Sequence, residues 1–174
     1  MTKTKVIYKI GDDISTDIIY PGRYMATVLP TETPAFAFDD IQELNELLKN
    51  GDNSTPRTIV CGKNFGCGSS REQAASTLKG HNLIIIAKDF ARIFLQNSIN
   101  LGLQTVICPQ IEANVGDELE VSEGKVINKT SGKTFETVPL PPARQAIVDA
   151  GGLIPYTQKR LKEKLGTKCG NCHN

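Results

Sequence analysis

The sequence predicts an α/β domain with a β-rich annex, and three observations carry that expectation. Strand and helix patterns alternate over residues 58–108, which spells a β-α-β-α-β unit. Leu83-Ile84-Ile85-Ile86-Ala87 is apolar throughout, as expected of a strand covered on both faces of a parallel sheet. Residues 118–122, 126–128 and 133–138 read as short strands parted by Glu123-Gly124 and Ser131-Gly132, a meander.

The remaining elements follow in order. Residues 5–10 form a first strand with Val6, Tyr8 and Ile10 on one face by period-two alternation. Gly11-Asp12-Asp13 is a turn, and Pro21-Gly22 a tight bend that presents residues 23–27 on a loop. Asp39 or Asp40 is placed to cap a helix through Leu48, ended by Asn50-Gly51. Residues 58–61 are a buried strand, and residues 71–79 a helix with Ala74, Ala75 and Leu78 on one face and Gly80 as its stop. Asp89 occupies an N-cap position before Phe90, Ala91, Phe94, Leu95, Ser98 and Leu101, which recur at helical spacing up to Gly102. Residues 105–108 are a strand ended by Pro109; Pro141-Pro142 opens a helix closed by Gly151-Gly152, and a charged helix covers residues 157–165. No internal repeat or low-complexity tract is present, so residues 1–165 are expected as one domain and residues 166–174 as a flexible tail.

The 20 Lys and Arg against 19 Asp and Glu leave a net charge of +1, which argues against polyanion binding as the main task. The start, MTKTKVIYKI, lacks the apolar run of a secretory signal, and no stretch is long enough to span a bilayer. An odd count of five cysteines then fits reduced thiols in a cytoplasmic chain. With only two histidines, a self-contained metal centre has few positions to draw on.

The segment that carries chemistry is Cys61-Gly62-Lys63-Asn64-Phe65-Gly66-Cys67-Gly68-Ser69-Ser70-Arg71-Glu72. Its glycines let backbone N–H groups approach a ligand, and the loop enters a helix whose N-terminus favours an anion. Ser69 and Ser70 add hydroxyls there, and Arg71 a planar fork suited to a carboxylate. The plainer alternative is that Ser69 or Ser70 caps the helix and Arg71 is a solvated charge. A nucleotide-phosphate loop is disfavoured, because the segment ends Gly-Ser-Ser-Arg rather than Gly-Lys-Ser/Thr and G-x-G-x-x-G is missing.

Residues 64–72, with Gly11-Asp12-Asp13-Ile14-Ser15-Thr16-Asp17 upstream and Phe90-Ala91-Arg92-Ile93-Phe94 downstream, resemble the small subunits of the 3-isopropylmalate dehydratase family, in the aconitase superfamily. The resemblance runs over residues 6–150. It implies a swivelling β/β/α domain, a mixed sheet with flanking helices and a small meander. It also implies a hydro-lyase active only with a large subunit that carries a [4Fe–4S] cluster, this chain binding none. The reaction implied is isomerisation of 2-isopropylmalate and 3-isopropylmalate by dehydration and rehydration, in leucine biosynthesis. By the same motif Ser69 maps onto the serine whose alkoxide takes the substrate proton, and Ser70 and Arg71 onto groups that bind the carboxylate. Arg23, Tyr24, Met25, Ala26 and Thr27 match the substrate-specificity loop. Ala26 stands where homoaconitase-like members carry an arginine, and its neutral side chain suits an alkyl branch on a 2-hydroxy dicarboxylate. The alternatives are a related dehydratase acting on 2,3-dimethylmalate, citraconate or methylmalate, or homoaconitate, and a non-catalytic anion-binding module using the same loop. No nucleic-acid or membrane partner is expected.

Two further features compete with this reading. Cys169-Gly170-Asn171-Cys172-His173 matches the haem-attachment pattern, but it ends one residue before the terminus, which leaves no downstream chain to wrap a haem, and an unstructured tail or a zinc or redox pair is the alternative. Cys61 and Cys67 flank the glycine loop without a ferredoxin spacing, and Cys67 is expected as a small buried filler.

Overall fold

Nine residues of β1 (Thr2–Ile10) organise the sheet, pairing with a parallel strand on one side and an antiparallel one on the other. The structure is a computed structural model that describes residues 1–52 and 54–169, with side chains described as far as Leu165. The further elements are α1 (Thr16–Ile19), α2 (Gln42–Lys49), β2 (Arg57–Cys61), α3 (Glu72–Gly80), β3 (Leu83–Ala87), α4 (Arg92–Leu101) and β4 (Gln104–Ile107). Then come β5 (Glu118–Ser122), β6 (Lys125–Asn128), β7 (Thr134–Glu136), α5 (Pro142–Asp149) and α6 (Leu153–Cys169). The strand order is β4-β3-β2-β1-β5-β6-β7, with β1 to β4 parallel and β5 to β7 antiparallel to their neighbours. Val138, just past β7, donates its N–H to the Ile107 carbonyl at 2.9 Å, so the sheet curls until its two edges meet.

Curling gives the sheet an inside and an outside, each with its own apolar core. Val6, Val60, Ile84, Ile86, Leu119, Val126 and Phe135 fill the inside. Ile59, Cys61, Ile85 and Ala87 face outward to meet Leu44 and Leu48 of α2, Ala74, Ala75 and Leu78 of α3, and Phe94 of α4. Every residue of β2 and β3 is buried, the condition the unbroken apolar run of β3 predicts.

Three local expectations are corrected. The pairing of β1 with β2 shifts register between Val6 and Tyr8, so Val6 enters the inner core while Tyr8 and Ile10 pack on the outer one. Asp39 and Asp40 do not cap α2, whose N-cap is Ile41 without a side-chain bond; both carboxylates bind Arg23 instead. Asp89 does not cap α4, whose N-cap is Ala91, but accepts the Asn64 N–H at 2.5 Å. The last helix starts at Leu153 and runs to Cys169; Cys172 and His173 lie outside the described residues. Among the described residues no helix is long and apolar enough to cross a membrane.

Candidate active site

The β2–α3 loop is built by long-range contacts more than by its own glycines. Its base is tied to the end of β1: Gly62 N–H donates to the Ile10 and Gly11 carbonyls, and Lys63 N–H to Asp12 Oδ1 at 2.8 Å. Asn64, at φ 56°, turns the chain, with its Nδ2 on Asp13 Oδ1 at 2.8 Å. Phe65 is fully buried and packs edge-on against Phe94 at 5.3 Å between ring centroids. Gly66 follows at φ +82°, its N–H on the Ile14 carbonyl at 2.7 Å, and a Cβ there would lie 2.1 Å from Phe94 Cγ. The loop is thus clamped between the β1–α1 turn and α4 before it reaches Ser69.

Thr16, at the start of α1, then receives the loop. Its backbone N–H donates to the Cys67 carbonyl at 2.7 Å, and its hydroxyl accepts the Ser69 N–H at 3.1 Å. The same hydroxyl lies 3.1 Å from Ser69 Oγ. Ser69 is half-buried; Ser70 is exposed, and its carbonyl accepts from Asn97 Nδ2 of α4 at 3.1 Å. Neither serine caps α3: the N-cap is Arg71, and no side chain bonds there, which leaves the N-terminal dipole of a nine-residue helix directed at the Ser69–Arg71 turn.

Arg71 leans back across the same turn. Its Nη1 donates to Asp17 Oδ1 at 2.5 Å and to the Tyr20 carbonyl at 3.4 Å, with the side chain 17% exposed. Gly22 sits beside it: a Cβ on Gly22 would lie 3.7 Å from Arg71 Nη1. That approach joins the serine loop to the 23–27 loop, which opens with a 3₁₀ turn at Gly22–Tyr24.

The five residues of that second loop divide into anchors and an open rim. Arg23 Nη2 contacts Asp39 at 2.6 Å and Asp40 at 2.7 Å, and its guanidinium lies 4.8 Å over the Tyr24 ring. The Tyr24 hydroxyl donates to Asp39 at 2.6 Å, and its ring stacks on Phe36 at 4.1 Å. The bond from Tyr24, then the Arg23 charge, holds the Asp39 carboxyl below its usual range. Beneath them the wholly buried Tyr20 hydroxyl is shared between the Tyr24 and Thr27 carbonyls at 3.0 and 3.1 Å. Met25, whose backbone N–H closes the turn on the Gly22 carbonyl, and Ala26 are exposed, and Val28 and Leu29 extend an apolar rim beyond them.

The structure therefore brings Ser69, Ser70 and Arg71 together on one turn, with Gly22 joining it to the rim of Met25 and Ala26. It turns Arg23 toward two aspartates. Thr16, Asp17 and Asn97 also belong to the site, although their sequence positions carry no chemical signal beyond a polar pair opening a helix. Cys67 is half-buried rather than a core filler. Cys61 and Cys108 are buried free thiols, burial raising the first well above its ordinary value and pushing the second up to about 11, so both stay protonated. Among the described residues no three His, Cys, Asp or Glu side chains converge as metal ligands.

Comparison with known proteins gives the family of the chain. A family profile of the aconitase C-terminal domain matches residues 25–110. The 3-isopropylmalate dehydratase small subunit of Methanosarcina mazei is 43% identical over 161 residues, 90% of this chain and 97% of its own. The isopropylmalate/citramalate isomerase small subunit of Methanocaldococcus jannaschii is 41% identical over 163 residues, 90% of this chain and 94% of its own. The crystal structure of a 3-isopropylmalate dehydratase from that organism matches with a TM-score of 0.84 at 36% identity, covering 95% of this chain and 98% of the other. Relatedness over nearly the whole length, on a shared fold, means that the chain belongs to the 3-isopropylmalate dehydratase small-subunit family of aconitase-type hydro-lyases.

Proposed function

We propose that this chain is the small subunit of a dehydratase that interconverts 2-isopropylmalate and 3-isopropylmalate in leucine biosynthesis, working with a large subunit that holds a [4Fe–4S] cluster. The observation that carries the reading is the placement of a half-buried Ser69 hydroxyl two residues before Arg71, on one turn at the open N-terminus of α3. Ser69, as the alkoxide, takes the proton from the carbon beside a substrate carboxylate. The electron pair of the broken C–H bond spreads onto that carboxylate, whose growing charge the helix terminus, Ser70 and Arg71 stabilise. The cluster iron, when bound by the partner, supplies the Lewis acid for the departing hydroxyl.

The rim of the site supports an alkyl branch. Met25 and Ala26 are neutral and exposed, while Arg23 is occupied by two carboxylates and acts as a loop anchor rather than a substrate partner. A methyl-branched substrate is the second reading, favoured by the relative whose name joins isopropylmalate with citramalate. In the reconstituted complex Ser69→Ala is expected to assemble normally and lose turnover; near-wild-type activity would sink the role of Ser69. Substrate profiling of an Ala26→Arg variant tests the rim, with activity on a tricarboxylate as the gain expected.

A further inference from the structure

We infer that the Thr16 hydroxyl is the hydrogen-bond donor that stabilises the Ser69 alkoxide, an inference that rests on the reading of Ser69 as the base. A hydroxyl has one proton and two lone pairs. Thr16 Oγ1 spends one lone pair on the Ser69 N–H at 3.1 Å, and its only other hydrogen-bond partner among the described residues is Ser69 Oγ, also at 3.1 Å. While Ser69 is neutral, either oxygen of that pair can donate. Once Ser69 Oγ has lost its proton it can only accept, and the Thr16 proton must then point at it.

The surroundings of Thr16 fix that direction. The residue is 1% exposed, so water does not compete for its proton. Its backbone is held to the loop by the bond to the Cys67 carbonyl, which keeps the two oxygens in register. Accepting the Ser69 N–H polarises the Thr16 O–H and makes it a better donor. Arg71 donates to Asp17 and the Tyr20 carbonyl instead of to Ser69 Oγ. Thr16 is thus the one protein group among the described residues that makes a hydrogen bond with the oxygen that becomes charged.

The test is kinetic and uses the assembled two-subunit enzyme. Thr16→Val keeps the shape and removes the O–H; Thr16→Ser keeps the O–H. Thr16→Val is expected to lower kcat on the order of 10²-fold with KM little changed. It should also move the ascending limb of the kcat–pH profile to higher pH by about one unit, because the alkoxide has lost a donor. Thr16→Ser should stay within a few-fold of the parent with its limb unmoved. A purely structural role would lower kcat without moving the limb, so an unmoved limb in Thr16→Val overturns the inference, as does equal loss in Thr16→Ser. Thr16→Ala is run beside them and read by the same limb, so that a folding failure of the valine variant leaves the comparison standing. If Ser69→Ala keeps its activity, the reading of Ser69 falls instead, and this inference with it.

Discussion

At the scale of single residues, the site depends on side chains whose orientation is set by others. Asp17 is the example. It is itself mostly exposed, yet it takes one arm of Arg71 and so decides where the rest of the guanidinium faces. Arg71→Lys keeps the charge and loses the planar fork, so it cannot hold Asp17, the Tyr20 carbonyl and a substrate carboxylate together. We expect kcat/KM to fall about 100-fold in Arg71→Lys, the loss of a bidentate charged contact. Asp17→Asn should cost about tenfold, through a looser Arg71. Steady-state kinetics on the assembled enzyme read both, and equal activity of Arg71→Lys and the parent refutes the clamp. Tyr20→Phe is a different kind of residue-level change, because it leaves the ring in the core and frees only the Tyr24 and Thr27 carbonyls. The expected result is a raised KM with nearly unchanged kcat and about 1 kcal/mol less stability, measured by chemical denaturation.

At the scale of elements, the serine loop works because a glycine lies where the chain must pass a phenylalanine. Gly66 and Gly124 both have positive φ, +82° and +77°, but a Cβ on Gly66 meets Phe94 whereas one on Gly124 meets nothing within 4 Å. Alanine at 124 should therefore cost only the left-handed backbone penalty, about 1 kcal/mol. Alanine at 66 adds overpacking against the Phe65–Phe94 pair, for about 3 kcal/mol in all, together with loss of turnover as Ser69 shifts. Equal destabilisation of the two variants in urea melts would show that Phe94 does not shape the loop. This contrast also explains how much of the molecule could be read from the chain. The strand Leu83–Ala87 and the helices on either side were legible because burial on two faces, or one, writes itself into the local pattern. The bulge in β1 was not, since it follows from pairing with a strand some fifty positions away, which no local alternation encodes. Asp39, Asp40 and Asp89 have the composition of caps, but Arg23 and the Asn64 N–H, distant in sequence, take their carboxylates. The serine and arginine of the candidate site were legible as a motif; Thr16 and Asp17 were legible only as part of the upstream motif, and not as neighbours of groups 53 and 54 positions away.

At the scale of the whole molecule, one buried histidine links the segments that frame the outer core. His81, at the end of α3, is 5% exposed, and its Nε2 lies 2.8 Å from the Pro34 carbonyl in the 3₁₀ turn Thr33–Phe36. A carbonyl only accepts, so Nε2 carries the proton and Nδ1 is left as a buried lone pair without a partner among the described residues. Protonating Nδ1 would bury a second positive group near Arg57 of β2 and Lys49 of α2; burial first, then those charges, hold the imidazole below its ordinary 6.5, against the raising effect of the Pro34 bond. The sign of the linkage follows. The unfolded chain takes up the proton near the ordinary value while the folded one resists, so stability falls as pH drops through 6.5, until the lower folded-state value is reached. Each unit of depression is worth about 1.4 kcal/mol. The depressed carboxylates, Asp39, Asp52, Glu112 and Asp117, act in a separate window, because their stabilisation starts to be lost only as pH falls through their ordinary values of 3.8 and 4.5. Thermal melts between pH 7.5 and 5 therefore isolate the histidine term. His81→Leu should melt lower than the parent at pH 7.5, having lost the bond to Pro34, yet change less as the pH falls, so that the two curves converge. His173, present in both proteins, cancels from that comparison. Parallel curves would mean that His81 takes up its proton in the folded protein as readily as in the unfolded chain, and that the junction of α2, β2 and α3 tolerates the charge.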